Sequence, residues 1–363
     1  MTATTATSDI TAAPGAVTRY ADLPRELHLP GAAVALGLTY WTRTSRDEPA
    51  LSSGALFIPS GTAPTYGWPV IVWTHGTTGL ADSCAPSADP DLGGYREYLI
   101  SLLGQGYAIA ATDYIGLGTP GVHTYMDGYA EAHAAIDALR AARAINGSLS
   151  ASWAAMGHSQ GGQAALFTAA IATRYAPGLD YRGAVVLAPG LGTVSSFLAA
   201  AHPGLPDIFV PQTKAYAVYI LCGLKSARPE FDLDSYLTAL GKEVIADAER
   251  LCLSDMAERM TTISLASLLS RPLTEEDFGA IARPVLDIPL TGYDRPFLVV
   301  QGLLDTDCPA ERMPELLLDL QAHDVEFSTR MYPDSDHMTV LQDSAADVDA
   351  YLDLLFARTA SGR

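Results

Sequence analysis

Residues 153–163 read Trp-Ala-Ala-Met-Gly-His-Ser-Gln-Gly-Gly-Gln. An apolar run, Trp153–Met156, ends at Gly157-His158-Ser159-Gln160-Gly161, and a helical pattern, Gln163–Tyr175, follows. A strand that turns sharply into a helix forces its central serine into a strained backbone conformation. Side chains two residues to either side then collide, so both positions must be very small. The turn lifts the Ser159 hydroxyl above the sheet edge. It also aims the Gln160 N–H, at the helix N-terminus, towards developing negative charge. A glycine-rich turn with an incidental serine also fits so short a pattern, so its meaning rests on the surrounding chain.

Outward from this turn, short apolar runs alternate with helical patterns. The runs are Val70–Trp73, Tyr107–Asp113, Trp153–Gly157, Gly183–Ala188, Pro296–Gln301 and Val325–Tyr332. Continuous apolar runs bounded by Gly or Pro predict strands covered on both faces, as in parallel sheets. Between them, Ala132, Ile136, Leu139, Ala142 and Ile145 form one helical stripe, stopped by Asn146-Gly147. Met313, Leu316, Leu317 and Leu320 form a second, and Val348, Tyr351, Leu352 and Leu355 a third. The alternation predicts an α/β class, a mostly parallel doubly wound sheet.

Residues 193–288 break the rhythm with an apolar segment, Ala215–Leu224, a polar turn and further helix-like runs. Structureless loops beyond about 15 residues are uncommon, so this stretch is expected to be a mainly helical cap inserted in the core. The expected organisation is a mobile tail over 1–18, a core over 19–192 and 289–363, and the cap over 193–288.

The chain has 363 residues, 48 % of them hydrophobic and 17 % charged, which suits a large buried core. Its 22 basic against 41 acidic residues give a net charge of −19, which repels nucleic acid and anionic membranes. No apolar run is long enough to span a bilayer of about 30 Å. The first basic residue is Arg19 and no apolar leader run precedes it, so the sequence as it stands predicts a cytoplasmic protein. Cys84, Cys222, Cys252 and Cys308 lack the spacing of a zinc site, and no metal is expected.

A serine hydroxyl needs a base to become a nucleophile, and the base needs an orienting carboxylate. With a strand–serine–helix turn, the chain order is serine, acid, histidine. Three histidines follow Ser159: His202, His323 and His337. His202 lies near the cap's start, and His323 ends a helix, where a polar tip is ordinary. His337, in Asp334-Ser335-Asp336-His337-Met338 after the last strand, sits where open α/β sheets carry functional groups. The loop after Pro296–Gln301 offers Asp305 and Asp307 as the acid; Asp305 is preferred, since Asp307 is nearer a helix start where it can act as a cap. Asp336 reads as a surface charge. A second oxyanion donor is expected from His75-Gly76-Thr77-Thr78-Gly79, with Thr77 as the donor beside Gln160. His75 and His158 read as scaffold. Tyr114 and Tyr125 are candidate substrate-binding residues, with ordinary packing as the alternative. Ala215–Leu224 and Thr262–Leu269 either line an acyl site or pack on the core.

The combination resembles the α/β-hydrolases, and more narrowly the secretory lipase family, which has yeast and bacterial members. The resemblance is carried by His75-Gly76-Thr77, Cys84-Ala85-Pro86-Ser87, Asp113-Tyr114-Ile115-Gly116-Leu117-Gly118, the serine turn, Gly302-Leu303-Leu304-Asp305 and Asp336-His337-Met338-Thr339, across about residues 20–358. It implies a triad of Ser159, Asp305 and His337, an oxyanion site at Thr77 and Gln160, and a largely helical cap over an acyl pocket. It also implies that Cys84 pairs with a cap cysteine, Cys222 or Cys252, in a secreted member; a reducing cytoplasm would disfavour that bond. The expected activity is serine carboxylic-ester hydrolysis on a small ester or acyl substrate, with no cofactor. An acyltransferase using the same triad is the alternative, and a catalytically silent binding protein a third reading.

Overall fold

The computed structural model describes residues 12–191, 193–200, 202–203 and 205–357. Its centre is a nine-stranded sheet in the order β1-β2-β3-β5-β4-β6-β7-β8-β9. The strands are β1 (Val17–Asp22), β2 (Ala32–Arg43), β3 (Pro49–Pro59), β4 (Trp68–Thr74), β5 (Ala108–Ile115), β6 (Leu149–His158), β7 (Asp180–Leu187), β8 (Phe297–Gly302) and β9 (Phe327–Tyr332). From β5 to β9 every neighbouring pair is parallel, and these six strands are those expected from the apolar runs. β1, β2 and β3 form an antiparallel meander that joins the edge of β5 and was not among the expected strands, although β3 carries the apolar run Ala55–Ile58. In β2 only every second side chain, such as Leu38, Tyr40 and Thr42, is buried, and the Ser52-Ser53-Gly54 triplet interrupts β3. Half-buried antiparallel strands read as alternation, which is a weaker signal.

Helices cover both faces. Chain order gives α1 (Arg96–Gly104), α2 (Gly128–Ile145), α3 (Gln160–Tyr175), α4 (Thr193–Ala200), α5 (Pro211–Ala227), α6 (Ala239–Ala248), α7 (Leu253–Arg259), α8 (Leu265–Leu268), α9 (Ala280–Leu286), α10 (Met313–Ala322), α11 (Thr339–Asp343) and α12 (Ala345–Ala357). Val70 and Val72 pack with Leu139 of α2 and Phe167 of α3, whereas Ile71 and Trp73 pack with Leu99 of α1 and Leu352 of α12. This is the period-two alternation of a strand buried on both sides. β4 lies between β5 and β6, so its crossovers leave in opposite directions and open a crevice at the carboxyl ends of β4 and β6.

The tail expected over 1–18 does not extend through residues 15–18. Residues 1–11 lie outside the described residues, but the Gly15 N–H already donates to the Trp41 carbonyl at 2.7 Å and β1 begins at Val17. Its sequence alternates exposed polar and apolar residues at a sheet edge, so it carries no apolar run.

Between β7 and β8 run α4 to α9. They share a core of their own, with Val218, Tyr219 and Leu221 of α5 against Val244 of α6, Met256 of α7 and Phe278. A disulfide joins Cys84, after β4, to Cys252 at the start of α7, across 168 residues; Cys222 is a buried free thiol. Beside the bond, Gly79 pairs with Cys252 as a β-bridge and the Leu253 N–H donates to the Thr78 carbonyl at 2.9 Å. Removing a cross-link over so long a loop frees the unfolded chain, so Cys84→Ser/Cys252→Ser is expected to lower stability by about 3–5 kcal/mol. Denaturant midpoints of the two oxidised proteins check this, and equal midpoints would contradict it.

Candidate active site

β6 delivers Ser159 at the carboxyl rim with φ 61° and ψ −120°, a left-handed conformation that costs a non-glycine residue about 1–3 kcal/mol. Three hydrogen bonds hold it there. Its N–H donates to the Leu187 carbonyl at 3.0 Å, and its carbonyl accepts from Gln163 and Gly190, each at 3.1 Å. A side chain at position 157 would collide with Thr74 Oγ1 and the Gly161 carbonyl, and one at 161 with the Thr74 carbonyl. Both flanking glycines are therefore demanded by the turn. Thr74 Oγ1 closes it by donating to the Gly161 carbonyl at 2.8 Å.

The loops after β8 and β9 meet beside this turn. His337 Nδ1 donates to Asp305 Oδ2 at 2.7 Å. Asp305 is itself fixed: Oδ1 accepts from the backbone N–H of Asp307 at 2.9 Å and of Cys308 at 2.8 Å, and Oδ2 from Gln301 Nε2 at 3.1 Å. Asp307 points elsewhere and accepts from Gln212 Nε2 at 3.1 Å. Burial raises its carboxyl above the ordinary value. Asp336 is exposed and caps the N–H groups of Met338 and Thr339. Of the three carboxylates near His337, only Asp305 reaches its ring.

A chain of bonds ties His337 to the loop after β4. The His337 carbonyl accepts from His158 Nε2 at 2.7 Å, and Tyr95 OH donates to His158 Nδ1 at 2.9 Å. The Gly76 N–H in turn donates to Tyr95 OH at 3.2 Å. Burial pushes the His158 pKa down to about 3, so the ring is neutral, with its one proton on Nε2. His158 thus positions the loop of His337, and the two rings lie 4.4 Å apart. His75 is also buried, its pKa lowered by burial, with Nδ1 and Nε2 on the carbonyls of Gly76 (2.6 Å) and Asp113 (3.3 Å). Among the described residues no hydrogen bond joins Ser159 Oγ to His337; the hydroxyl's polar neighbour is Cys308 Sγ, at 4.0 Å. Burial raises the Cys308 pKa, which keeps it a thiol. Such bonds are often open without substrate.

Gln160 is the first residue of α3, so its N–H has no intrahelical partner. Thr77 Oγ1 meets Tyr125 OH at 2.6 Å. A cavity of about 390 Å³ opens at Ser159, lined by apolar Met126, Leu191, Phe197, Phe209 and Ile220, with Asp307 and Cys308 at its wall. That volume suits a small-molecule site. Neither Tyr114 nor Tyr125 is among the residues lining it, which corrects the expectation for both. Tyr114, wholly buried at φ 71°, donates to the His75 carbonyl at 3.0 Å, and Tyr125 supports Thr77. The Ala215–Leu224 segment does both things weighed for it. Tyr216, Ala217 and Ile220 face the cavity, whereas Val218, Tyr219 and Leu221 fill the core of the inserted segment. From Thr262–Leu269, Leu265 reaches the cavity. His202 is exposed and His323 bonds the Asp319 carbonyl at 2.7 Å, so neither joins the site. Among the described residues no group of side chains is arranged to hold a metal, and no helix is long and apolar enough to cross a membrane.

Comparisons with known proteins bear on the family and the fold. Residues 94–272 match the family model described as secretory lipase, and residues 284–359, which hold Asp305 and His337, match that of the prolyl oligopeptidase family. No curated protein sequence matches the chain. The fold is similar to that of lipase A from Candida antarctica (TM-score 0.80, 18 % identity, 97 % of this chain and 84 % of that one). It is also similar to that of the rice cell wall degrading esterase LipA from Xanthomonas oryzae (TM-score 0.70, 19 % identity, 94 % and 98 %). A putative hydrolase from Legionella pneumophila superposes with a TM-score of 0.68 at 18 % identity over 92 % and 98 % of the two chains. Residues 94–272 are therefore similar to the secretory lipases, and the chain as a whole has an α/β-hydrolase fold.

Proposed function

We propose that this protein is a serine carboxylic-ester hydrolase that works through an acyl-enzyme on Ser159. The observation that carries the reading is the 2.7 Å contact of His337 Nδ1 with Asp305, beside a serine held at positive φ between two obligatory glycines. His337 Nε2 takes the Ser159 proton as Oγ attacks the ester carbonyl. The N–H groups of Gln160 and Thr77 receive the oxyanion. Asp305 holds the proton on Nδ1 and stabilises the imidazolium. His337 then protonates the leaving alcohol, and water, deprotonated by the same ring, releases the acid.

The 390 Å³ cavity takes the acyl chain, and the 193–288 segment serves as the cap over it, with the core over 19–192 and 289–363. A second hollow of about 540 Å³, lined by Thr77, Asp89, Gln212 and Ser254, takes the alcohol. The Cys84–Cys252 bond supports folding in an oxidising compartment rather than the reducing cytoplasm expected from the N-terminal residues.

A panel of p-nitrophenyl esters of graded acyl length tests the reading, with a fluorophosphonate as a label for Ser159. Hydrolysis with one preferred length, blocked by the label, is the expected result. No turnover at any length, together with no labelling, would leave a binding protein on a hydrolase fold. Transfer to an added alcohol, with no free acid formed, would make it an acyltransferase.

A further inference from the structure

We infer that His123 and Glu131 clamp the side chain of Gln160 from below and so position the oxyanion donors, which makes both residues positioning residues for ester turnover. The inference rests on the reading just given, in which Gln160 works through its backbone N–H. Its side chain runs the other way. Gln160 Nε2 donates to Glu131 Oε1 at 2.7 Å and to His123 Nε2 at 2.9 Å, which uses both amide hydrogens. His123 Nδ1 donates to the Ile115 carbonyl at 2.9 Å, so Nε2 must be an acceptor. Burial agrees with that tautomer, since it pushes the His123 pKa down to about 3. Glu131 Oε1 also accepts the Met126 N–H at 3.0 Å, fixing the loop that borders the cavity.

The same imidazole reaches the second donor. His123 stacks on Tyr114 with ring centroids 5.6 Å apart and meets the Tyr125 ring edge-on at 6.0 Å. Tyr114 OH holds the His75 carbonyl and Tyr125 OH holds Thr77 Oγ1, both on the loop after β4. One buried ring therefore braces the turn that carries Gln160 and the loop that carries Thr77. Neither His123 nor Glu131 lines either cavity, and both are at most 1 % exposed. A carboxyl here is a costly filler: burial pushes the Glu131 pKa up to about 8, and among the described residues Oε2 has no hydrogen-bond partner. An apolar side chain would fill the space without that cost but could not orient the amide.

The test compares kcat and KM for one p-nitrophenyl ester in wild type, Glu131→Leu, Glu131→Gln, Gln160→Met and the Glu131→Leu/Gln160→Met double variant, each with its thermal midpoint. Glu131→Leu is expected to lower kcat by about 10- to 100-fold at nearly constant KM, because a misaimed donor weakens only the transition state. Glu131→Gln keeps an acceptor oxygen of the same shape and should recover most of that loss. Gln160→Met keeps the backbone N–H but removes the clamped amide, so it should match Glu131→Leu, and the double variant should fall no further. Wild-type kcat in a folded Glu131→Leu or Gln160→Met protein overturns the inference, as do losses that multiply in the double variant. Failure of both single variants to fold also overturns it, since the cluster would then serve the fold as a whole. Absence of Ser159 labelling in the wild type would instead remove the reading beneath it.

Discussion

Replacing Ser159 by alanine is expected to reduce ester turnover by about 10⁵- to 10⁶-fold, the scale seen when a hydrolase loses its nucleophile. The fold should be untouched. Among the described residues the hydroxyl's hydrogen-bond contact is with Cys308 Sγ at 4.0 Å, and the left-handed turn is held by backbone bonds that alanine keeps. The Gln160 and Thr77 N–H groups also remain, so a residual rate of about 10³ over water should persist. Single-turnover kinetics would separate the two contributions: the burst of acylation vanishes, while substrate affinity changes little. A Ser159→Ala protein that keeps even one hundredth of wild-type kcat, freshly purified and free of contaminating esterase, would falsify the acyl-enzyme mechanism.

The second large effect separates two neighbouring carboxylates. Asp305→Asn is expected to lower kcat by about 10⁴-fold, because an amide donating to Nδ1 forces the proton of His337 onto Nε2, the nitrogen that must accept from serine. Asp307→Asn should stay within about threefold, since Asp307 stands at the cavity wall, accepts from Gln212 and does not hold the His337 ring, and an amide of the same shape keeps that wall. A larger loss at Asp307 than at Asp305 would reassign the acid.

The parts of this molecule legible in its sequence are those whose signal is local. Strands β4 to β8 are buried on both faces and show as apolar runs, whereas β1 and β2 face solvent on one side and do not. Ser159 and its two glycines are marked by the turn that needs them. Asp305 and His337 follow from the order in which strands end at one rim. Residues whose roles depend on closeness in space leave no such mark. Gln160 lies 29 residues from Glu131 and 37 from His123 along the chain, and nothing in the spacing announces their contact. Tyr114 and Tyr125 sit in a suggestive loop, but their hydroxyls turn towards His75 and Thr77 rather than into the cavity. Cys308 reads as a stray cysteine until the loop after β8 folds its sulfur towards the serine.

The disulfide makes the surroundings of the two hollows mechanically unequal. At Cys252 the wall is riveted to the strip of chain that bears Thr77, through the Cys84 bond, the Gly79 bridge and the Leu253 N–H. It cannot retreat without dragging Thr77, the proposed oxyanion donor, with it. The cavity at Ser159 is walled by Phe197 and Phe209, to which the disulfide does not run, and beside them Ile208 and Val210 are bare to solvent. The chamber can widen like a drawer with one fixed side while its chemical floor stays still.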